Sequence, residues 1–435
     1  MSVRFELVTP THNLKYFREL AESVANQTYR DFSWTIVVNG EAKVTDVESI
    51  ISNTFGSLNI ARIVELPDCL RTSPPSIGAI KRFAFDVASE SRVADYLVEL
   101  DHDDVLVPEC LSTVANTIGH RLPEFIYSDS IHFFDNGCSF SFAKEAGWES
   151  YIENGATVTK AFPCSPLTLQ YIFYAPNHVR MWHKNHYHKI GGHNPNLHAA
   201  DDHELMIKSY LSGGEMLHIN RGLYRYREHN MDSANSYRSM SKHVVENTQK
   251  LGAMYIDQLV DEWCRRQSLR KIDMGGAHNT VPGFESLDRY APADIVHDCM
   301  VDGRFKLPFE SRSIGVFRAY DFMEHIPQGY PIIDMKNEFY RCLAHQGWLF
   351  TMTPSTEGRG AFQDPTHVSY WNQNSFLYYT QKEFAKYVPQ IKCRFAVNTL
   401  STDYPSGWHR ENNIPYVRAH LVACHEENMP GGIRI

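Results

Sequence analysis

Residues 96–104 read YLVELDHDD, an apolar run followed by three aspartates within four residues. This part, residues 96–100, predicts a buried β-strand because it is short, apolar except for Glu99, and followed by polar residues. Carboxylates crowded at the end of a strand repel one another unless a cation neutralises them, and Mg²⁺ and Mn²⁺ prefer such oxygen ligands. The segment therefore predicts either a divalent-metal site or an Asp-rich turn that caps a helix near Pro108.

Strands and helices alternate on the N-terminal side of this segment. Strands are predicted at residues 5–8, 34–38 and 61–66, and helices at residues 14–27, 43–54 and 77–89. Such alternation predicts a parallel sheet of βαβ type, in which ligands bind at the carboxyl ends of the strands. The loops 9–13, 39–41 and 101–104 all lie at those ends.

A second region of the same kind begins after a helical pattern over residues 239–268. Its strands are predicted at residues 271–274, 284–288, 294–298, 314–320 and 348–352. A chain of 435 residues is also long for a single core. We therefore expect an α/β protein with domains at 1–238 and 269–435, joined by a connecting helix at 239–268.

The composition restricts the class of protein. The 51 acidic residues exceed the 42 basic ones, for a net charge of −9, and the whole excess lies in the first 265 residues. This acidity disfavours a general nucleic-acid coat, which depends on basic patches. The sequence has nine scattered cysteines without a CxxC pair, no apolar run long enough for a transmembrane segment, and no secretory signal at its start. These features predict a cytoplasmic protein with reduced thiols.

Six motifs in the first 238 residues resemble, in order and spacing, the family 2 glycosyltransferases of GT-A fold. They are VTPTHN at 8–13, VVNG at 37–40, GAIKR at 78–82, LDHDD at 100–104, the stretch 179–205 that ends in ADDHEL, and YREHNMDS at 226–233. The resemblance implies a Rossmann-like GT-A domain. It also implies transfer of a sugar from a nucleotide-sugar donor, a UDP-sugar, to a glycan or another hydroxyl acceptor.

The same resemblance implies roles for individual residues. Asp101 and Asp103 would hold Mn²⁺ or Mg²⁺ on the donor diphosphate, and His229 would complete that metal site. Asp202 would be the catalytic base, with Asp201 in the place of the usual glutamate. The residues expected at the donor are Thr9, Thr11, Asn39, Arg82, Asp104 and Arg227.

Asp201 and Asp202 have two possible roles, one in catalysis and one in the structure of a helix. One base without a covalent nucleophile implies a single displacement with inversion at the anomeric carbon. Read from the residues alone, however, Asp201-Asp202 also fits the acidic first turn of a helix.

Residues 171–203 are rich in rings. Seven histidines lie at 178, 183, 186, 188, 193, 198 and 203, and aromatic residues lie at 171, 173, 174, 182 and 187. For the histidines we expect structural or acceptor contacts rather than a zinc site. The aromatic residues fit either core packing or stacking on sugar faces.

The second region also resembles a known family. KIDMGGAHN at 271–279 is a strand that runs into a glycine turn, and FESLD at 284–288 ends in an acid. With DIVHD at 294–298, YDFMEHI at 320–326 and GWL at 347–349, these segments resemble class I S-adenosylmethionine-dependent methyltransferases over residues 269–395. The resemblance implies S-adenosylmethionine binding by Asp273, Gly275, Gly276, Asp288 and Asp321.

Two questions stay open for this region. Gly276-Ala277 departs from the family pattern, so the domain is either a methyltransferase that acts on the glycan or a non-catalytic binding module. The polar and aromatic segment 358–372 is either a lid, with Asp364 or His367 as a base, or a packed structural loop. A glycosyltransferase that acts on a modified base in DNA is a further alternative, which the acidic charge of the first 265 residues disfavours.

Overall fold

A computed structural model of the protein describes residues 2–71, 76–91, 93–142, 147–172, 175–228, 236–278 and 281–426. The chain forms two compact units, Met1–Leu259 and Val260–Ile435, called here the first and the second unit. The division falls within a single helix, Ser236–Gln267, which overlaps the segment 239–268 that the sequence assigns to the connection.

The first unit contains eleven described strands and seven described helices before Ser236. The strands are β1 Phe5–Thr11, β2 Phe32–Val38, β3 Ala61–Glu65, β4 Tyr96–Glu99, β5 Val105–Leu106, β6 Phe125–Phe133, β7 Ser139–Phe140, β8 Ser150–Glu153, β9 Ala156–Thr159, β10 Arg180–His183 and β11 Met216–Arg227. The helices are α1 Phe17–Ala25, α2 Val44–Phe55, α3 Ile77–Ser89, α4 Cys110–Ile118, α5 Pro166–Tyr171, α6 Lys184–Lys189 and α7 Asp201–Leu211, with a 3-10 turn at Asp68–Leu70. The connecting helix Ser236–Gln267 is α8.

The main sheet of the first unit has the order β3-β2-β1-β4-β10-β6-β11-β5. Strands β3, β2, β1 and β4 are parallel, as the sequence predicts. Strand β10 differs, because it runs antiparallel between β4 and β6 and makes the sheet mixed. Its register places Arg180, the first residue of β10, beside Glu99, the last residue of β4.

Alternation along the strands builds the core of the first unit. Phe5 and Leu7 of β1 lie in one buried cluster with Trp34 and Ile36 of β2, since every second side chain of a strand points to the same face. Phe17 of α1 stacks on Trp34 at a centroid distance of 5.7 Å. The apolar face of α1 thus packs on the apolar face of the sheet. The loops that follow β1, β2 and β4 lie at the carboxyl ends of these strands.

The second unit contains the strands β12 Arg270–Met274, β13 Glu285–Asp288, β14 Ile295–Val296, β15 Met300–Val301, β16 Arg304–Phe305, β17 Ile314–Tyr320, β18 Leu343–Pro354, β19 Phe395–Asp403 and β20 Tyr416–Ala423. Its helices are α9 Tyr330–Cys342, α10 Gly360–Gln363, α11 Leu377–Thr380, α12 Lys382–Ala385 and α13 Gly407–Glu411, with 3-10 turns at Met323–His325 and Gln373–Phe376. The predicted strand at 314–320 agrees with β17 to the residue.

The sheet of the second unit has the order β14-β13-β12-β17-β18-β20-β19. The first five strands are parallel, in the 3-2-1-4-5 order of a doubly wound sheet. β20 runs antiparallel to both β18 and β19. The α/β class predicted for both halves of the chain is therefore confirmed, although the described part of the connection between β12 and β13 contains no helix.

The described helices do not include one with both the length and the apolar character needed to cross a membrane.

A buried lysine lies in the core of the second unit. The Lys336 side chain is inaccessible to solvent on α9, and its Nζ lies 4.7 Å from the ring centroid of Phe376 and 5.0 Å from that of Trp371. Nζ also contacts Sδ of Met323 at 3.0 Å. Burial, with no carboxylate partner among the residues that the structure describes, lowers the pKa of Lys336 to about 7.

This lysine makes stability depend on pH. The unfolded chain binds a proton at Lys336 up to about pH 10.5, whereas the folded chain releases it near pH 7, so stability rises with pH between these values. Relative to Lys336→Met, the wild type should gain roughly 3 kcal/mol of unfolding free energy between pH 7 and 9.5, at a slope of up to about 1.4 kcal/mol per pH unit. Denaturant unfolding followed by tryptophan fluorescence measures this difference. Lys386→Met, at an exposed lysine, is the control, and equal pH slopes for all three proteins would contradict the prediction.

Candidate active site

A buried carboxylate lies at the centre of the site in the first unit. Glu99 ends β4 and is 1% exposed, and Lys81 of α3 pairs with its Oε1. Arg180 of β10 approaches the other oxygen, with Nη1 3.6 Å from Oε2. Burial opposes ionisation of Glu99, but the two cations outweigh it and lower its pKa to about 2. Glu99 is thus held as an anion between two cations from separate elements.

The predicted metal-binding aspartates follow directly in the turn after β4. Asp101 lies 3.9 Å from Nζ of Lys81 through Oδ1 and 4.0 Å from Nε2 of His178 through Oδ2. Burial, with Glu99 and Asp103 nearby, raises the pKa of Asp101 despite the opposing effect of Lys81. Asp101 and Asp103 are both part-exposed at this edge of the sheet.

The third aspartate of the run points the other way. Both oxygens of Asp104 are hydrogen-bonded inside the unit, to the hydroxyl of Tyr224 at 2.8 Å and to the backbone N–H of Arg227 at 2.7 Å. The Tyr224 oxygen also accepts a bond from the backbone N–H of Asp101 at 3.1 Å. In the structure Asp104 therefore anchors the acidic turn to β11, and its role at the donor stays a prediction.

Arg227 clamps the same turn. Its Nε donates to the backbone oxygen of Asp103 at 2.8 Å, and its other nitrogens bind Glu19 at 2.5 Å and Asp135 at 3.0 Å. The guanidinium also lies over the ring of Tyr16 at 4.1 Å. These contacts fix the backbone of the acidic turn and leave the donor role of Arg227 as a prediction.

Asp201 and Asp202 begin α7 and have opposite environments. Asp202 is bound by Arg180 at 2.5 Å, and this cation, with Lys81, outweighs burial and lowers the pKa of Asp202 to about 2. The Asp201 side chain is 3% exposed, and burial raises its pKa to about 7 against the effect of Lys81. Its Oδ2 has no hydrogen-bond partner among the described residues and lies 3.8 Å from Nε2 of His193. Asp202 is accordingly the ionised and more accessible carboxylate of the pair.

Helix α3 and the loop before α7 are packed too closely for any side chain at Gly78. A Cβ at this position would lie 2.2 Å from the backbone oxygen of Asn194 and 2.7 Å from that of Leu197. Further along α3, Arg82 donates to the backbone oxygen of Gly191 at 2.6 Å and to Asp86 at 2.8 Å. In the structure Arg82 thus holds the 191–197 loop against α3.

The predicted nucleoside-binding residues lie at the ends of β1 and β2. Thr9 is buried and accepts a bond from the indole N–H of Trp34 at 3.0 Å, and Thr11 donates to the backbone oxygen of Asn13 at 2.8 Å. The Asn39 backbone N–H donates to the oxygen of Thr11 at 2.8 Å. Its side-chain Oδ1 is buried without a hydrogen-bond partner in the described chain, which makes Asn39 the member of this group with an atom left for a ligand.

The histidines and aromatic residues of the stretch 171–203 are divided between the buried core and the site. Trp182 and Tyr187 are fully buried core residues, so they do not present a surface for sugar stacking. His178 stacks on Tyr224 at a centroid distance of 4.7 Å and faces Asp101. His229, predicted to complete the metal site, and the aromatic residues Phe173 and Tyr174 lie outside the described residues.

Three residues that connect the parts of the site, Lys81, Glu99 and Arg180, are not among the site residues predicted from the sequence. Lys81 lies within the GAIKR motif and Arg180 next to the start of the 179–205 motif, yet neither has a charged neighbour in sequence that indicates its partner. Glu99 reads only as the last polar residue of a strand. The sequence feature that points to Glu99 is its charge within an otherwise apolar strand, because a buried charged residue is nearly always paired.

The residues predicted to bind S-adenosylmethionine have partners within the second unit. Asp273 is buried and bound by Arg318 at 2.8 Å, and Asp288 accepts the backbone N–H of Tyr290 at 3.1 Å. Burial, with the Asp321 carboxylate nearby, raises the pKa of Tyr416. Gly275 has a φ of +76°, and a Cβ on Gly276 would lie 2.7 Å from Oδ2 of Asp273. Packing of the turn therefore accounts for both glycines, and cofactor binding stays a prediction.

Comparison with known proteins finds likeness in structure only. No family model matches the sequence, and no curated protein matches it. The chain is similar to TarS of S. aureus, with 16% identity and a TM-score of 0.41 over 60% of this chain, and it spans 42% of the length of TarS. TarS 1-349 in complex with UDP-GlcNAc gives 16% identity and a TM-score of 0.41, over 64% of this chain and 77% of that one. The mannosyltransferase PcManGT from Pyrobaculum calidifontis, in complex with GDP-Man and Mn²⁺, gives 12% identity and a TM-score of 0.36, over 65% of this chain and 78% of that one.

The close approach at Gly78 can be tested by adding one methyl group. Gly78→Ala should lower the melting temperature, because the backbone of the 194–197 loop must move to admit the Cβ, and overpacking of this kind costs roughly 1–3 kcal/mol. Thermal unfolding followed by circular dichroism measures the shift. Gly407→Ala is the control, since nothing lies within 4 Å of a Cβ there, and equal melting temperatures for the two variants would contradict the packing argument.

Proposed function

We propose that the first unit is a metal-dependent inverting glycosyltransferase of GT-A type, which transfers a sugar from a nucleotide-sugar donor to a hydroxyl acceptor. One observation supports this most directly. An ionic chain runs from Asp101 through Lys81, Glu99 and Arg180 to Asp202. It links an acidic turn suited to a cation with a separately held carboxylate suited to act as a base.

Asp101 and Asp103 are the proposed ligands of Mg²⁺ or Mn²⁺, together with His229 from the resemblance. The two carboxylates fit such an ion because they lie part-exposed in one turn, beside the buried anion of Glu99. A divalent ion held there supplies positive charge for the diphosphate that leaves. Arg227 and Tyr224 keep the turn in place through its backbone and Asp104.

Asp202 is the proposed base. Arg180 fixes one of its oxygens and keeps the group ionised, and the backbone N–H of His203 donates to the other at 2.8 Å. A carboxylate oriented in this way can accept the proton of the acceptor hydroxyl as that oxygen attacks the anomeric carbon. Bond formation on one face and departure of the nucleoside diphosphate from the other invert the configuration.

For the second unit we retain the two alternatives of a methyltransferase and a non-catalytic module. The contact of Asp273 with Arg318 favours the second, since this carboxylate is engaged within the chain. We place the protein in the cytoplasm on the basis of its sequence, with a glycan as the first acceptor to test.

The donor site can be tested by thermal stabilisation. With UDP, GDP or CMP added, each with and without Mn²⁺, we expect the melting temperature to rise for one of the three nucleotides, and only when Mn²⁺ is present. The rise is measurable because a ligand at 100 times its Kd adds about 2.7 kcal/mol to the free energy of unfolding. Asp103→Ala should abolish this shift, and Asp46→Ala, at an exposed aspartate of α2, should keep it. S-adenosylhomocysteine in the same panel tests the second unit. A nucleotide shift that is equal in Asp103→Ala and wild type would refute the proposed metal site.

The base can be tested separately from donor binding. Asp202→Asn should lower the rate of UDP release from a UDP-hexose by roughly 10²- to 10⁴-fold, the usual contribution of a general base, while the stabilisation by UDP and Mn²⁺ stays the same. Asp46→Asn is the matched control, because Asp46 also lies in the first turn of a helix. If Asp202→Asn keeps more than a tenth of the wild-type rate, the assignment of the base fails.

A further inference from the structure

A second cluster of ligand-type side chains lies at the carboxyl edge of the second unit's sheet. Glu324 and His325 belong to the 3-10 turn that follows β17, and His367 comes from the segment after α10. Each offers one ligand atom, and these three atoms all lie within 4.8 Å of one another. Residues 43 positions apart in sequence thus meet at the edge where doubly wound sheets bind their ligands.

The carboxylate of this cluster is buried and only half satisfied. Glu324 is 2% exposed, and its Oε2 accepts a bond from the hydroxyl of Thr353 at 2.7 Å. Its Oε1 is buried without a hydrogen-bond partner among the described residues. Buried polar atoms are rarely left without a partner, so the free oxygen points to a ligand.

Both imidazoles are oriented by backbone carbonyls. Nδ1 of His325 lies 3.2 Å from the oxygen of Thr366, and Nδ1 of His367 lies 3.2 Å from the oxygen of Ala361. A carbonyl oxygen can only accept, so in both bonds Nδ1 is the donor and Nε2 keeps the lone pair. The hydroxyl of Thr366, 3.1 Å from Nδ1 of His325, agrees with this because it donates its own proton to Asp364 at 2.6 Å. Histidines that bind metals in proteins are commonly oriented by such an outer hydrogen bond.

The loop that carries His367 is fastened to Glu324 itself. The backbone N–H groups of Val368 and Ser369 both donate to the backbone oxygen of Glu324, at 2.8 and 3.1 Å. The His325 and His367 rings lie 5.1 Å apart between centroids. The three side chains are therefore held together by the fold before any ligand arrives.

We propose that Glu324, His325 and His367 form a binding site for a divalent transition-metal ion, with Zn²⁺ as the best match. Two imidazole nitrogens and one carboxylate oxygen are the ligand types of Zn²⁺, whereas Mg²⁺ prefers oxygen alone. Three protein ligands leave at least one coordination position for an exchangeable oxygen ligand, such as water or a hydroxyl group. This site differs in ligand chemistry from the carboxylate turn of the first unit and does not depend on the function proposed for that unit.

The test uses the full chain after removal of metals with a chelator. Titration with Co²⁺ alone, followed by visible absorption, should show one equivalent bound with nitrogen and oxygen ligands, and Zn²⁺ should displace it. His325→Ala and His367→Ala should each weaken this binding at least 10-fold. His278→Ala, at an exposed histidine of the same unit, and Asp46→Ala, at an exposed aspartate of the first unit, should leave it unchanged.

Because Glu324 is buried, its replacement can disturb the fold, so Co²⁺ binding by Glu324→Gln is compared only if its circular dichroism matches that of the wild type. If it does not match, the two histidine variants alone decide the test. His325 is exposed, so its replacement is not expected to disturb the fold. The proposal is overturned if the wild type binds no Co²⁺ with these spectral features. It is also overturned if His325→Ala and His367→Ala bind Co²⁺ as tightly as His278→Ala does.

Discussion

The site of the first unit depends on the need to neutralise one buried carboxylate, that of Glu99. A carboxylate enclosed by a sheet is stable only beside a cation, and here Lys81 arrives from α3 and Arg180 from β10. Each cation has a second partner at the surface of the site: Lys81 faces Asp101, and Arg180 binds Asp202. The same charges that allow Glu99 to be buried therefore position the residues proposed to act on the donor and on the acceptor.

This arrangement also explains how two adjacent aspartates acquire different properties. Asp202 meets Arg180 and stays ionised, whereas Asp201 is turned inward toward His193 and has a pKa near 7. Pairs of carboxylates whose surroundings separate their pKa values are a common basis for separate roles in catalysis. The difference arises from packing, because the two residues are chemically identical and consecutive in the chain.

The two units use the carboxyl edges of their sheets in different ways. In the first unit the acidic turn is continuous in sequence, and β11 fastens it through Asp104 and Arg227. In the second unit, the candidate metal ligands come from two segments that are joined through the backbone oxygen of Glu324. The glycine turn of the second unit, in contrast, is explained by the close approach of Asp273 to Gly276.

The sequence by itself determined the α/β class, the bounds of elements such as α3 and β17, and the place of the acidic turn after β4, because these follow from local periodicity and strand ends. Only the tertiary structure decided that β10 enters the sheet antiparallel, that Arg180 therefore meets Glu99 and Asp202, and that His367 joins Glu324 and His325. Such encounters depend on distances between residues far apart in the chain. The energies of charge pairing and burial depend on these distances in space, which the pattern of neighbouring residues in the sequence does not specify.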